Sequence, residues 1–242
     1  MSITPDLLRQ AFEKAGLVPY FPETGIASLV QFTQQMLQIN ESLNLTKWTG
    51  DEEVLHYHLL DSALVLPHLK PFIKPGQKWL DLGSGCGFPG VLLLAAFPEA
   101  KTTLLDSVAK KTKALQECIK AGEFTASMLT DRAEKVGQIP SHRESYDGVV
   151  ARAVAEFPVL LEWATPLLKP GGCFVNWVTS KQFLNLEQSK EALQKLQCRI
   201  IQTIEYQLPG LEQNRYWIFV EKWGKTPPMY PRRIGRPSKC PL

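Results

Sequence analysis

The chain has 242 residues, 44% hydrophobic and 21% charged, with a formal net charge of +3. That balance supports the core of one large domain, or of one domain with an extension, and excludes wholesale disorder. The longest purely apolar run, residues 91–97, is too short to cross a bilayer, and the opening MSITPDLLRQ lacks the basic start and apolar stretch of a secretory signal. The expectation is a cytoplasmic protein with no membrane partner.

Helices come first in the chain. Over residues 4–16, Thr4 suits an N-cap and Pro5 the first turn, while Leu7, Leu8, Ala11, Phe12 and Ala15 make one apolar face. A second helix is predicted over 24–40, with Ile26, Leu29, Val30, Thr33, Met36 and Leu37 inward. A loop follows that carries Asn44-Leu45-Thr46 and Trp48. The third helix opens at Asp51, where Asp51, Glu52 and Glu53 favour the positive end of the helix dipole, and it ends by Pro67. These helices are expected to form an N-terminal cap over 1–70, packed on a main domain over 71–223.

From Lys78 the rhythm becomes strand–helix. Strand-like runs at 78–82, 102–106, 125–130, 146–152 and 173–179 alternate with helices over 89–97, 108–121, 133–136 and 159–168. Alternation of this kind predicts a parallel sheet with helices on both faces. A Lys169-Pro170-Gly171-Gly172 turn leads into the fifth strand, and a further helix is expected over 186–196. The runs 199–208 and 216–223 then have only a Pro209-Gly210 loop between them, so they must pair antiparallel. The predicted class is α/β, with a Rossmann-like, mostly parallel seven-stranded sheet, an antiparallel last strand and an N-terminal helical extension.

The stretch WLDLGSGCGFPG, residues 79–90, organises this domain. Its strand ends in Gly83, and Gly85 and Gly87 follow at alternate positions, as a turn needs where a Cβ would obstruct it. Pro89 suits the first turn of the next helix. A strand, a glycine turn and a helix start make a cofactor-sized socket at the carboxyl edge of a sheet. Gly85, Gly87 and Gly90 also fit the dinucleotide fingerprint, with Asp106 about 20 residues on as its acid. Spacing alone therefore leaves a nicotinamide oxidoreductase and an S-adenosylmethionine (SAM) enzyme both open. The antiparallel finish, and the lack of a Tyr-x-x-x-Lys pair in the right place, favour the second. A parallel sheet closed by an antiparallel hairpin resembles the class I SAM-dependent methyltransferases. In that setting Asp81 suits the ammonium and sulfonium groups of SAM, and Asp106 its ribose hydroxyls. Ala133 and Glu134 suit adenine, and Arg152 a carboxylate of substrate or cofactor. An aspartate that only caps the adjoining helix is the alternative at strand two.

The set GSGCGFPG, TLLDS, DRAE, ARAV and the ending PPMYPRRIGRPSKCPL, with NLT at 44–46 and HLLDS at 58–62 upstream, resembles the RsmG (GidB) family over nearly the whole chain. These are bacterial methyltransferases of guanine N7 in 16S ribosomal RNA. The resemblance implies SAM as cofactor, held by Gly83, Phe88, Asp106, Ser107, Val108, Ala133, Glu134 and Arg152. Asp81 and Gly85 join that set on the reading of the glycine turn. It also implies 16S ribosomal RNA or the small subunit as partner. The chain departs from the family pattern at Asp131, where glycine is usual, and at Trp177-Val178-Thr179, where Lys-Gly is usual and Lys181 could substitute. Met229 and Cys240 also stand where basic residues are expected. Another RNA or a small molecule as methyl acceptor is the alternative.

Guanine N7 offers a lone pair and no proton, so the expected chemistry needs no general base and relies on alignment and on acceptors near the forming cation. His58 is accordingly read as a packed histidine, and Cys86, in the cofactor turn, is not read as a nucleophile. Five widely spaced cysteines without a C-x-x-C pair suggest neither a metal site nor a disulfide framework. A monomer is expected.

Charge is concentrated at the end. From Lys222 onward there are six basic residues and no acid, leaving 21 basic against 24 acidic side chains in the rest. A basic, proline-rich tail over 224–242 is therefore expected to meet RNA, with Lys225, Arg232, Arg233, Arg236 and Lys239 on phosphates and Tyr230 stacked on an unpaired base. Pro227, Pro228, Pro231, Pro237 and Pro241 are expected to keep it extended. Truncation after Trp223 should then spare SAM binding and cripple RNA methylation. Phe157 and Trp177 are candidate stacking partners for a flipped target base.

Overall fold

The computed structural model describes residues 3–184 and 186–242. Among them, β1 (Lys78–Leu82), β2 (Lys101–Asp106), β3 (Ser127–Thr130), β4 (Tyr146–Arg152), β5 (Leu168–Thr179), β6 (Cys198–Tyr206) and β7 (Arg215–Lys222) form one sheet in the order β3-β2-β1-β4-β5-β7-β6. The β2–β3, β1–β4 and β4–β5 pairs are parallel, and β7 runs antiparallel to both β5 and β6. This is the sheet expected from the sequence. Strand order reverses at β1, and crevices at such switch points are where open α/β sheets bind ligands. β5 begins at Leu168, because Leu168 pairs with Tyr146 ahead of a register shift, so the Lys169–Gly172 turn lies inside the strand.

The chain clusters into two compact units, one holding the described residues of 1–77 with 84–130, the other 78–83 with 131–242. These units do not follow the expected division at residues 70 and 223. In the first, α1 (Pro5–Lys14) starts as expected, with the Thr4 hydroxyl accepting the Leu7 N–H at 3.2 Å. α2 (Gly25–Leu43) lies against α6 (Gly90–Ala96) and α7 (Ala109–Ala121), so the N-terminal helices share a core with the segment after the glycine turn. Phe32 of α2 meets Phe88 and Phe124 edge-on, with ring centroids 5.8 and 6.4 Å away, a geometry worth about 1 kcal/mol per pair beyond burial. The third predicted helix is broken into α3 (Asp51–Val54), a π-helical turn over Leu55–Leu60, and α4 (Asp61–Ala63), with α5 (Leu66–Leu69) after it.

In the second unit the core lies on β1, β4, β5 and β7. The Trp79 indole sits flat over Gly148, where a Cβ would come within 2.4 Å of the ring. Trp177 pairs across the sheet with Trp217, on which Tyr206 stacks at 3.8 Å. The helices here are α8 (Ala133–Val136), α9 (Phe157–Ala164), α10 (Ser180–Leu184), α11 (Lys190–Lys195) and α12 (Arg236–Lys239). The last of these is a helical turn inside the segment expected to be extended. Pro237 falls in its first turn, where a missing N–H costs nothing.

Candidate functional site

In the turn after β1, Gly83, Gly85 and Gly87 have φ values of 75°, 52° and 105°, which is why glycine occupies all three. The first unit ties the turn to β2. Ser84 N–H donates to the Leu105 carbonyl at 2.9 Å, and Gly85 N–H donates to Asp106 Oδ2 at 2.9 Å. Asp106 Oδ1 accepts the Val108 N–H at 2.9 Å. The aspartate therefore does cap the start of α7, while each oxygen keeps a second lone pair for a ligand. Beside it Ser107 is exposed, and Val108 exposes 44% of its surface. At Gly87 the constraint is packing, since a Cβ would sit 2.5 Å from Phe32 Cζ and 2.9 Å from Leu115 Cδ1.

Phe88 is buried and stacks on His58, with centroids 5.1 Å apart and planes 15° from parallel. His58 Nε2 lies 2.8 Å from Thr46 Oγ1, and Asn40 clasps the Thr46 backbone through bonds of 2.8 and 3.0 Å. The NLT and HLLDS motifs thus converge on Phe88. His58 is packed and hydrogen-bonded, as its sequence reading held. The convergence itself was not legible, because His58 lies on a π-helical turn that the local sequence does not announce.

In the second unit Asp81 is buried on β1 opposite Val150 of β4, and half-buried Arg152 ends β4. Gly83 faces Val154, which a Cβ would meet at 2.6 Å. On α8, Ala133 is buried and Glu134 is 2% exposed. Glu134 Oε1 accepts from Gly235 N–H at 3.0 Å and from Arg132 Nη2 at 3.3 Å, whereas Oε2 has no hydrogen-bond partner among the described residues. The atypical Asp131 pairs with Lys135 at 2.6 Å, and that lysine holds its carboxyl below the ordinary value. Phe157 and Trp177 are both buried in their own unit, so neither is presented to stack on a base.

The C-terminal segment divides by face. Lys225, Arg233, Arg236 and Lys239 are exposed. Tyr230 is only 7% exposed, so its ring is not available for an unpaired base. The Arg232 guanidinium grips both oxygens of Glu162, which is 0% exposed, with Nη2 at 2.5 Å from Oε2. Tyr230 and Arg232, expected among the RNA contacts, are instead built into the unit. Of the predicted RNA contacts, the other four are exposed.

Among the described residues, no group of three His, Cys, Asp or Glu could hold a metal ion, and no helix is long and apolar enough to cross a membrane. A family model described as GidB: rRNA small subunit methyltransferase G matches residues 25–214. The protein of Acetivibrio thermocellus named Ribosomal RNA small subunit methyltransferase G is 41% identical over 204 residues, which span 84% of this chain and 83% of its own. The protein of that name from Pelotomaculum thermopropionicum is 36% identical over 243 residues, covering 100% of both. The solved structure of a ribosomal protein L11 methylase from Lactobacillus delbrueckii subsp. bulgaricus shares the fold. Its TM-score is 0.51 at 16% identity, over 69% of this chain and 79% of that one.

Proposed function

Because the chain belongs to the rRNA small subunit methyltransferase G (GidB) family, we propose that it methylates N7 of one guanine in 16S ribosomal RNA without a general base. Membership makes it an rRNA methyltransferase and sets aside the nicotinamide alternative. SAM supplies, when bound, a methyl group on a cationic sulfur. The residues present suit such a cofactor. Asp81 and Asp106 bring negative charge to two strand ends, and Asp106 retains acceptor capacity toward a diol. Gly83 and Gly85 add no side chains of their own to the turn, and the buried Phe88 follows it. Ser107 and Val108 offer a polar and an apolar rim, and Ala133 leaves space for a flat ring. Glu134 Oε2, buried with no hydrogen-bond partner among the described residues, is an acceptor that an adenine amino group would satisfy. That orphaned oxygen is the observation that carries the cofactor reading. Arg152 completes the set at the end of β4.

A lone-pair nucleophile needs no deprotonation, so the work left to the protein is alignment and water exclusion. The engagement of His58 by Thr46 and Phe88 supports this, since it leaves the imidazole inside the packing. Lys225, Arg233, Arg236 and Lys239 give the phosphates a salt-dependent hold. In this reading the enzyme acts in the cytoplasm as a monomer, on 16S RNA or the assembled small subunit. Mapping N7-methylguanine in 16S RNA from cells with and without the gene tests it. Loss of one modified guanine is expected, and an unchanged pattern overturns the assignment.

A further inference from the structure

The C-terminal segment has an inner face that an RNA-binding arm would not need. Arg143 Nη1 donates to the carbonyls of Gly137 and Tyr230 at 3.0 and 2.8 Å, and its Nη2 donates to Thr226 at 3.0 Å and Pro227 at 3.3 Å. Gln138 Nε2 donates to the Pro231 carbonyl at 2.8 Å. Arg232 donates its backbone N–H, Nε and Nη2 to Glu162, and the same Nη2 reaches the Cys240 carbonyl at 2.8 Å. Gly235 N–H closes on Glu134. A Cβ on Gly137 would lie 3.0 Å from the Pro231 ring, so contact there is close.

Gly235 and Pro231 bond to α8 and the turn that follows it, while Arg232 anchors the same segment to Glu162 on α9 and Arg143 clamps its start beside Gly137. The α8 helix has four residues, and a single turn does not hold its own shape, because nucleation fixes several dihedrals for one hydrogen bond. Its position must come from its neighbours, and the C-terminal segment supplies bonds at residues 134 and 138 and lays the Pro231 ring against Gly137. Glu134 Oε1 is spent on Gly235, which turns Oε2 into the remaining acceptor.

We propose that residues 226–240 form a strap that sets α8 in place for the cofactor, with Arg232 and Arg143 as positioning residues. This rests on the reading that Ala133 and Glu134 meet the adenine. It reverses the expectation that the segment can be removed without consequence for SAM. The outer face, with Arg233 and Arg236, remains the one turned to RNA, so neighbouring arginines serve different ligands.

The test uses the full chain, with SAM affinity measured by titration calorimetry in the absence of RNA and KM for RNA measured separately. Arg232→Ala should raise the SAM Kd about tenfold, equivalent to 1.4 kcal/mol, with little change in KM for RNA. Arg232→Lys keeps the cation but loses the fork, and should recover part of the affinity. It also decides the matter if Arg232→Ala does not fold. Arg236→Ala should do the opposite, raising KM for RNA at unchanged SAM affinity. Wild-type SAM affinity in both Arg232 variants, with weakened RNA binding, overturns the strap. Ala133→Trp separates the two readings. If it abolishes SAM binding while the Arg232 variants leave it intact, only the strap falls. If it binds SAM normally, the placement of adenine on α8 fails and the strap falls with it.

Discussion

Around Phe88 the first unit is assembled from rings. Phe32 and His58 contact Phe88, Phe124 meets Phe32, and one threonine hydroxyl reaches the histidine. Around Glu162 the second unit is assembled from charge. Arg232 grips a fully buried carboxylate, and the buried Lys222 ammonium reaches Glu144 at 2.6 Å and the carbonyls of Thr165 and Leu168. Packed rings respond to added or removed volume, whereas buried ion pairs respond to the loss of either partner. The glycine turn should therefore be broken by added atoms and the strap by removed charges.

The largest effect is expected at Gly87. An alanine there meets Phe32 and Leu115 and takes a positive φ, and overpacking with backbone strain should cost about 4 kcal/mol. Urea unfolding of Gly87→Ala checks this, and a loss below about 1 kcal/mol would mean that the rings give way easily. Next comes Arg232→Ala, which leaves Glu162 unpaired in the core and should cost about 3 kcal/mol. The double variant Arg232→Met/Glu162→Leu should recover most of that stability, because it removes both charges. If the double variant is as unstable as the single one, charge is not what holds the strap.

A smaller effect should follow pH. Burial by itself would raise the Glu144 carboxyl, but the Lys222 ammonium and the Thr226 N–H outweigh it and hold the group below the ordinary 4.5. A depressed carboxyl contributes stability that is complete above its ordinary value and is lost as pH falls through the folded one. The gap in unfolding midpoint between wild type and Glu144→Gln should thus be constant above about pH 5 and shrink toward acid. A gap that persists into acid would contradict the pairing. The smallest effect is on reactivity. Burial pushes the thiols of Cys118, Cys173 and Cys198 up to about 12, while Cys86 is half-buried and Cys240 exposed. Timed labelling with a thiol reagent at neutral pH should modify Cys240 and Cys86 first and the other three only on unfolding.

Much of the fold was visible in the sequence, and what was hidden has a physical reason. The strands at 78–82 and 146–152 matched because each is a short apolar run stopped by charge or glycine. The antiparallel hairpin followed from a loop too short for a helix. The π-helical turn at Leu55–Leu60 was not visible, because local composition does not separate an i→i+5 from an i→i+4 bond, and packing of His58 on Phe88 accompanies the choice. Nor could charge counting separate Arg232 from Arg233. Their difference lies in Glu162, 70 residues away on an apolar helix. A lone glutamate inside FPVLLEWA was the clue that a cation had to reach it.

The central claim is that a nitrogen lone pair takes the methyl group with no proton to remove. Single-turnover transfer from labelled SAM to unmodified small-subunit RNA, followed by nucleoside mass spectrometry, tests it most directly. The account predicts N7-methylguanosine as the product, formed at a rate nearly flat from about pH 6 to about pH 9. A methyl group on an exocyclic amine or a ribose oxygen, or a rate that climbs with an ionising base, would contradict it.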